Sequence, residues 1–266
     1  MVDKSEKFSW LVRVGYFSRA ILYTMIGLIA LTAAGKVSEG SDGIFRAIDD
    51  FPGGPVLLGV MAVGLIGYAL FRLCSPLFDI ENEGGNATGW AKRIGHAGSA
   101  VGHLLLAWSA YKFATAEAPQ SGDGAQQAAA GVLSYPFGGT ALALLGIAFF
   151  FAAVSQARKG ITGSFMRRIS AGAPAVTKTL GSVGYCARAA VYAVIGWSLI
   201  KAGWFSEGAD EVRTLGDALA DLAGNTVVFQ LVAAGLLVFG VFSLILARYR
   251  IIPDIRKEDC LPAALA

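Results

Sequence analysis

Residues 15–27 read GYFSRAILYTMIG, and residues 184–196 read GYCARAAVYAVIG. Both follow one pattern, Gly-Tyr-x-x-Arg-Ala-x-x-Tyr-x-x-x-Gly, and each lies at the start of an apolar segment of membrane-spanning length. Residues 95–107, GHAGSAVGHLLLA, keep the spacing but have His, Ser and His where the other copies have Tyr, Arg and Tyr. A pattern that recurs in this way indicates internal repeats, so we expect three copies of one helical unit.

The composition is that of a membrane protein. Of the 266 residues, 55% are hydrophobic and only 15% are charged, and the mean hydropathy is +0.58. A helix needs roughly 20 apolar residues to cross the hydrocarbon core of a bilayer. Six stretches reach this length and predict six transmembrane helices, at roughly 11–34, 55–78, 94–115, 136–157, 180–204 and 226–250.

The positive charges predict the orientation of these helices. Lys and Arg are concentrated on the side of the predicted helices that holds both termini, and few lie in the opposite loops. Basic residues favour the cytoplasmic side, so both termini are expected in the cytoplasm and the protein in the bacterial inner membrane. The three cysteines lie near that reducing face and predict no disulfide; they are Cys74, Cys186 and Cys260.

The chain is expected to form a single membrane domain over residues 1–266, with repeats at 8–80, 88–163 and 177–252. Each repeat contains two predicted crossings, so all three repeats start on the same side and have a parallel orientation. Between the two crossings lies a short segment with helical periodicity, clearest where Leu215, Leu219 and Leu222 alternate with acidic residues. The predicted fold is therefore all-α, with short amphipathic outer helices.

The repeated pattern places a polar stripe on two of the helices. Residues three and four positions apart share one helical face, so Tyr, Arg and Tyr line up in the first and third repeats. The residues of these stripes are the candidates for binding a lipid or an anion: Tyr16, Arg19, Tyr23, Tyr185, Arg188 and Tyr192.

The six predicted helices contain no Asp or Glu to neutralise Arg19 and Arg188. One interpretation is that both arginines reach the headgroups or bind tyrosine hydroxyls and helix-terminal carbonyls. A second is that they face a central axis and hold an anionic group, and a third is an ion pair with Asp79 or its neighbours. The sequence favours the first interpretation and leaves the other two open.

The middle repeat contains the only two histidines of the chain, His96 and His103, with Ser99 between them. Two histidines on one face of one helix cannot ligate haem from opposite sides, and further metal ligands are missing nearby. We therefore expect polar packing residues and no cofactor or metal, although one histidine alone could ligate a haem or a pigment.

Motifs of soluble enzymes are absent from the sequence, so we expect no catalytic activity. The lack of carboxylates within the helices also argues against a proton-coupled transporter. The favoured function is an accessory or scaffold subunit that binds membrane lipids or other membrane proteins, with no nucleic-acid partner. The alternative is a small channel or transporter for an anionic or polar solute, with Arg19 and Arg188 facing a central axis.

The repeated pattern is followed in the first repeat by Gly64-Leu65-x-Gly67-Tyr68-x-x-x-Arg72. Together these motifs resemble a bacterial membrane family, the domain of unknown function 1206. The resemblance covers roughly residues 8–250 and implies three tandem two-helix repeats. The middle repeat departs from the pattern at four positions, and the family brings no established activity.

Overall fold

A computed structural model describes residues 4–32, 40–78, 84–115, 124–205, 207–213, 215–222 and 224–252. The described residues form helices and connecting turns without a named strand. The helices are α1 (Lys4–Thr32), α2 (Gly40–Asp49), α3 (Gly54–Phe78), α4 (Ala87–Ala114), α5 (Gly124–Leu133), α6 (Gly138–Thr162), α7 (Thr177–Trp204), α8 (Leu215–Leu222) and α9 (Thr226–Tyr249), with 3₁₀ turns at Ser164–Arg168 and Ala209–Glu211.

Six of these helices are long, and five of the six are long and apolar enough to cross a membrane. They are α1, α3, α6, α7 and α9. Among the described helices, α4 is the long one that does not qualify, although it has 28 residues. Lys92 and Arg93, its two histidines and its glycines lower the hydropathy of α4. The prediction of a multi-pass helical membrane protein is confirmed, whereas the sixth crossing stays a prediction.

The long helices pack in the order α4, α3, α1, α9, α7, α6. Neighbours in this order run in opposite directions: the two ends of α1 meet the opposite ends of α9, since Gly27 approaches Ala233 and Arg13 binds the carbonyl of Ala247. The first helices of the repeats, α1, α4 and α7, therefore share one direction. An interface between α4 and α6 would close the order into a ring. In the described part of the chain, this pair shares no extended interface.

The glycines of the repeated pattern explain how the helices approach. A Cβ atom at Gly15 would lie 2.7 Å from Tyr68 Cβ, and one at Gly184 would lie 2.7 Å from Phe239 Cβ. These two glycines therefore allow the first and second helices of their own repeats to touch. At Gly95, the equivalent position in α4, a Cβ would meet no atom within 4 Å. The first and third repeats are closed pairs, and the second is open.

The short helices cover the outer ends of the long ones, and each follows the first helix of its repeat, as the sequence predicts. Helices α2 and α8 pack against both long helices of their own repeats, and α2 also contacts α8. Ile48 and Leu219 are fully buried in these contacts. Helix α5 packs on α6 and on the turn Ala209–Glu211. Within the described residues, the short helix of the second repeat thus does not bridge the two long helices of its repeat as α2 and α8 do.

Candidate functional site

The polar centre of the protein is built around Arg19 of α1 and Arg188 of α7. The two side chains are only 3% and 7% exposed. Their guanidinium carbons lie 5.0 Å and 4.7 Å from the centroid of one aromatic ring, that of Phe239 in α9. Arg188 also lies 5.3 Å from the ring of Tyr23 in α1. The arginines of the first and third repeats therefore converge inside the protein.

Arg19 is held by groups from three helices. Its Nη1 donates a hydrogen bond of 2.5 Å to the hydroxyl of Tyr68 in α3, and its Nη2 donates one of 3.5 Å to Ser243 Oγ in α9. Its guanidinium lies over the rings of Tyr16 and Tyr68, at 5.2 Å and 4.9 Å from their centroids. Cation–π contacts of this kind offset part of the cost of burying a charge.

Arg188 has a similar environment. Its Nη2 donates a hydrogen bond to the hydroxyl of Tyr192, one turn further along α7. The Tyr192 ring centroid lies 5.0 Å from the guanidinium carbon, and Phe149 of α6 packs edge-on against this ring at 5.6 Å. The centre thus extends from α3 through α1 and α9 to α7 and α6.

These contacts leave both guanidinium groups incompletely satisfied. The Nε atoms of Arg19 and Arg188 are buried and have no hydrogen-bond partner. Lys201 and Arg213 form ion pairs with nearby carboxylates, whereas neither central arginine has a carboxylate partner in the described ranges. The predicted alternative partner, Asp79, lies outside the described residues. A buried charge without a counter-ion costs several kcal/mol in an apolar medium.

Two further arginines adjoin the same centre. Arg72 Nε donates a 2.9 Å hydrogen bond to the Tyr68 hydroxyl, which therefore accepts from two guanidinium groups. The guanidinium of Arg250 lies 5.5 Å from the ring centroid of Tyr16. Sequence reasoning did not assign Tyr68, Arg72, Ser243 or Phe239 to the site. For two of them a signal exists, the motif Gly67-Tyr68-x-x-x-Arg72 in the second helix of the first repeat.

The structure brings most of the predicted stripe residues together. Tyr16, Tyr23 and Tyr192 all contact an arginine, as described above. Tyr185 is half-buried, and its ring packs against Phe165 at 5.1 Å and Phe239 at 5.5 Å. The two stripes therefore meet around one aromatic ring of α9, that of Phe239.

The middle repeat contributes a histidine to this cluster instead of an arginine. The Nδ1–H of buried His103 donates a 2.7 Å hydrogen bond to the carbonyl of Ser99, and its ring centroid lies 4.6 Å from that of Tyr68. His96 lies on the same helix and is half-buried. No group of three or more potential metal ligands is found in the described ranges. The position of His103 is that of a packing residue beside Tyr68.

Comparison with known proteins agrees with the repeat architecture. The sequence profile described as Domain of Unknown Function (DUF1206) matches residues 14–77, 94–163 and 183–250. The chain belongs to the DUF1206 family. Three matches in one chain confirm the internal repeats, and in the first and third the matched range includes the central arginine.

A relative from Bacillus subtilis (strain 168) is described as "Uncharacterized protein YxxB". It is 30% identical over 260 residues, which are 93% of this chain and 94% of the relative. The two proteins are thus similar over nearly their full lengths. No solved structure matches the chain.

Proposed function

We propose that this DUF1206 protein crosses the bacterial inner membrane six times, with α4 as the sixth crossing and both termini in the cytoplasm. The common direction of α1, α4 and α7 supports three parallel-oriented repeats. The excess of Lys and Arg near the predicted cytoplasmic ends supports the orientation. Helix α4 is the least apolar long helix, and its packing against α3 compensates for the low hydropathy.

We further propose that the arginine centre binds an anionic group, a phosphate or a carboxylate. The observation that carries this proposal is the pair of buried guanidinium groups with unpartnered Nε atoms and no carboxylate partner in the described ranges. Phosphate and carboxylate oxygens match the donor geometry of arginine.

The depth of the centre suits a lipid headgroup. Arg19 lies seven residues beyond Val12, where the apolar part of α1 begins, so it lies about 10 Å along the helix from that end. This places the centre within reach of the cytoplasmic leaflet in the proposed orientation. A soluble anion that enters from the cytoplasm has the same chemistry, and experiment must distinguish the two sources.

The role that follows is a non-enzymatic membrane component that holds an anionic lipid or an anion, as an accessory or scaffold subunit does. The described part of the centre consists of guanidinium groups, hydroxyls, aromatic rings and the imidazole of His103, whose Nδ1 is bonded to the Ser99 carbonyl, and this set suits the binding of charge. A channel with both arginines on its axis is the second candidate. Phe239, Tyr68 and Tyr16 fill the space beside the arginines and are buried, which favours binding over conduction.

The test replaces both arginines, Arg19→Gln and Arg188→Gln, in the full chain. The matched control is Arg158→Gln, because Arg158 is exposed near the end of α6. Each protein is reconstituted with phosphatidylglycerol or phosphatidylcholine, and retained lipid is measured by mass spectrometry. Thermal stability in detergent is measured with and without inorganic phosphate.

The double variant is expected to lose at least about tenfold in affinity for the anionic ligand, roughly 1.4 kcal/mol, while the control is unchanged. Selective retention of phosphatidylglycerol identifies a lipid site. Stabilisation by phosphate without lipid selectivity identifies a soluble anion. If the folded double variant matches the unmodified protein in both assays, the anion site is wrong.

A further inference from the structure

Helix α4 presents a face that is buried in the other two repeats. Gly95, Gly98 and Gly102 are exposed, and a Cβ atom at any of them would meet no atom within 4 Å. In the first repeat, the positions equivalent to Gly95 and Gly98 are Gly15 and Ser18. Both are buried against α3, since a Cβ at Gly64 would overlap the Ser18 side chain. This face therefore packs on a helix wherever its repeat is closed.

The third repeat shows the same contact, with Gly235 against Ala187 and Gly184 against Phe239. In both closed repeats, an aromatic residue of the second helix covers the first glycine of the pattern. The occupant that fits the open face of α4 is therefore an antiparallel helix with an aromatic side chain. Two contacts within the same chain show this arrangement, Gly15 against Tyr68 and Gly184 against Phe239.

Helix α6 of the same copy does not cover this face, since α4 and α6 share no extended interface in the described part of the chain. Gly138 and Gly54 both start the second long helix of a repeat and both approach the preceding short helix closely. Alignment at these glycines places Ala152 at the position of Tyr68. The neighbouring Phe151 points away from the protein and is 73% exposed. At this alignment, Phe151 lies on a different face of α6 from the face that Tyr68 occupies on α3.

Helix α6 therefore has an open face of its own. Leu144 is 60% exposed, and Ala148, Phe151 and Ser155 on the same face are exposed as well. Their spacing of four, three and four residues forms one continuous stripe along the helix. Large and small side chains alternate along it, which suits a partner helix that has glycines opposite Phe151.

We propose that a second copy of this chain fills both open faces. Helix α4 of one copy packs antiparallel on α6 of the other, with Phe151 over Gly98 and Ala148 near Gly102. A twofold axis along the membrane normal repeats this contact with the roles exchanged. Both open faces are then used, and the dimer is closed. The second repeat of each copy is completed by the other copy.

The composition of α4 supports a protein occupant over lipid. It is the long described helix that is not apolar enough to qualify as a membrane-spanning segment. Three glycines in a row on one face bring little apolar surface to lipid, whereas they let another helix approach closely. The stripe on α6, from Leu144 to Ser155, is long enough to cover the face from Gly95 to Gly102. A second copy is thus complementary in shape, in direction and in the number of open faces.

Cross-linking in native membranes tests the geometry of the dimer. The background carries Cys74→Ala, Cys186→Ala and Cys260→Ala. Two copies with different tags, one Gly98→Cys and one Phe151→Cys, are co-expressed and oxidised. A cross-linked dimer of the two tags is expected. The control pairs Phe151→Cys with Val63→Cys on α3, which is 63% exposed and lies outside the proposed interface, and should give no dimer.

The same two cysteines in one chain distinguish the dimer from a closure of α4 onto α6. A cross-link within monomers and none between tags would overturn the proposal, as would the absence of any cross-link. These outcomes do not depend on anion binding, so the dimer and the anion site can be refuted independently of each other.

Disruption of the interface provides a second measurement. Gly98→Ile has room within its own chain, so the monomer should fold, but the larger side chain blocks the approach of Phe151 from the second copy. We expect the dissociation constant of the dimer in liposomes to rise at least tenfold, measured by single-molecule photobleaching. Gly59→Ile on α3, which also has open space, is the matched control. A monomeric unmodified protein, or equal dimerisation of all three proteins, refutes the proposal.

Discussion

A single methyl group added at Gly15 should destabilise the protein, whereas the same change at Gly95 should not. The two glycines occupy the same position of the repeated pattern. A Cβ at Gly15 would lie 2.7 Å from Tyr68 Cβ, 2.8 Å from its backbone nitrogen and 2.9 Å from its Cα. Carbon atoms pack best at about 3.5 Å or more, so α1 and α3 must separate by about 0.8 Å.

This separation has a cost because the neighbouring atoms belong to the backbone and cannot rotate away. Overpacking of this kind typically costs about 1–3 kcal/mol, and the higher helix propensity of alanine returns at most about 1 kcal/mol. Gly15→Ala should therefore lower the free energy of unfolding by about 1–2 kcal/mol. Gly95→Ala meets no atom within 4 Å and should be neutral or stabilising by up to about 1 kcal/mol.

Unfolding by titration with sodium dodecyl sulfate in mixed micelles measures this difference, at a protein concentration low enough to keep the chain monomeric. Gly184→Ala, which meets Phe239 at 2.7 Å, should behave like Gly15→Ala. Gly59→Ala, with open space around it, should behave like Gly95→Ala. If the alanine variants at Gly15 and Gly95 have the same stability, the second repeat is as closed as the first, and the description of the fold is wrong.

Three further predictions concern single side chains. Tyr68→Phe removes the hydroxyl that accepts from both Arg19 and Arg72 and should cost about 1–3 kcal/mol in unfolding free energy, whereas the exposed Tyr111→Phe should cost nothing measurable. His103→Ala should destabilise by about 2 kcal/mol or more, because its ring packs on Tyr68, and should leave the visible absorption spectrum unchanged; a Soret band lost in this variant would instead identify a haem ligand. The hydrogen bond from Lys201 keeps the pKa of Glu211 below its ordinary value of 4.5. Glu211 therefore contributes stability above about pH 4.5 that is lost as the pH falls through the lower pKa of the folded protein. The stability difference between the unmodified protein and Glu211→Gln, measured by thermal unfolding, should accordingly shrink between pH 7 and pH 3, and a difference independent of pH would contradict the pairing.

Much of the architecture could be predicted from local patterns. Helix length and hydropathy identify the five helices that are long and apolar enough to cross a membrane, and the spacing of Gly15, Arg19 and Gly27 identifies the repeats. Helix α4 shows the limit of this approach. Its length is that of a crossing, but its polar residues and glycines keep its hydropathy below that of the five candidate spans, so hydropathy alone does not identify it as one.

The site could be predicted only in part. The stripes predicted Arg19 and Arg188 because arginine is rare and costly in apolar helices. Ser243 and Phe239 carry no such signal, since serine and phenylalanine are ordinary residues of membrane helices. They belong to the centre only because α9 packs between α1 and α7.

The sequence by itself determined the three helical repeats and the presence of Arg19 and Arg188 in apolar helices without a carboxylate. Both results follow from periodicity and composition along single helices. The sequence did not determine the direction in which the arginines point. The two arginines are buried against Phe239 only because α1, α7 and α9 pack together. This contact is a property of the assembled bundle. The open second repeat is likewise a tertiary result. In the described part of the chain, α4 and α6 lie at opposite ends of the helix order, so the glycines of α4 have no helix to pack on.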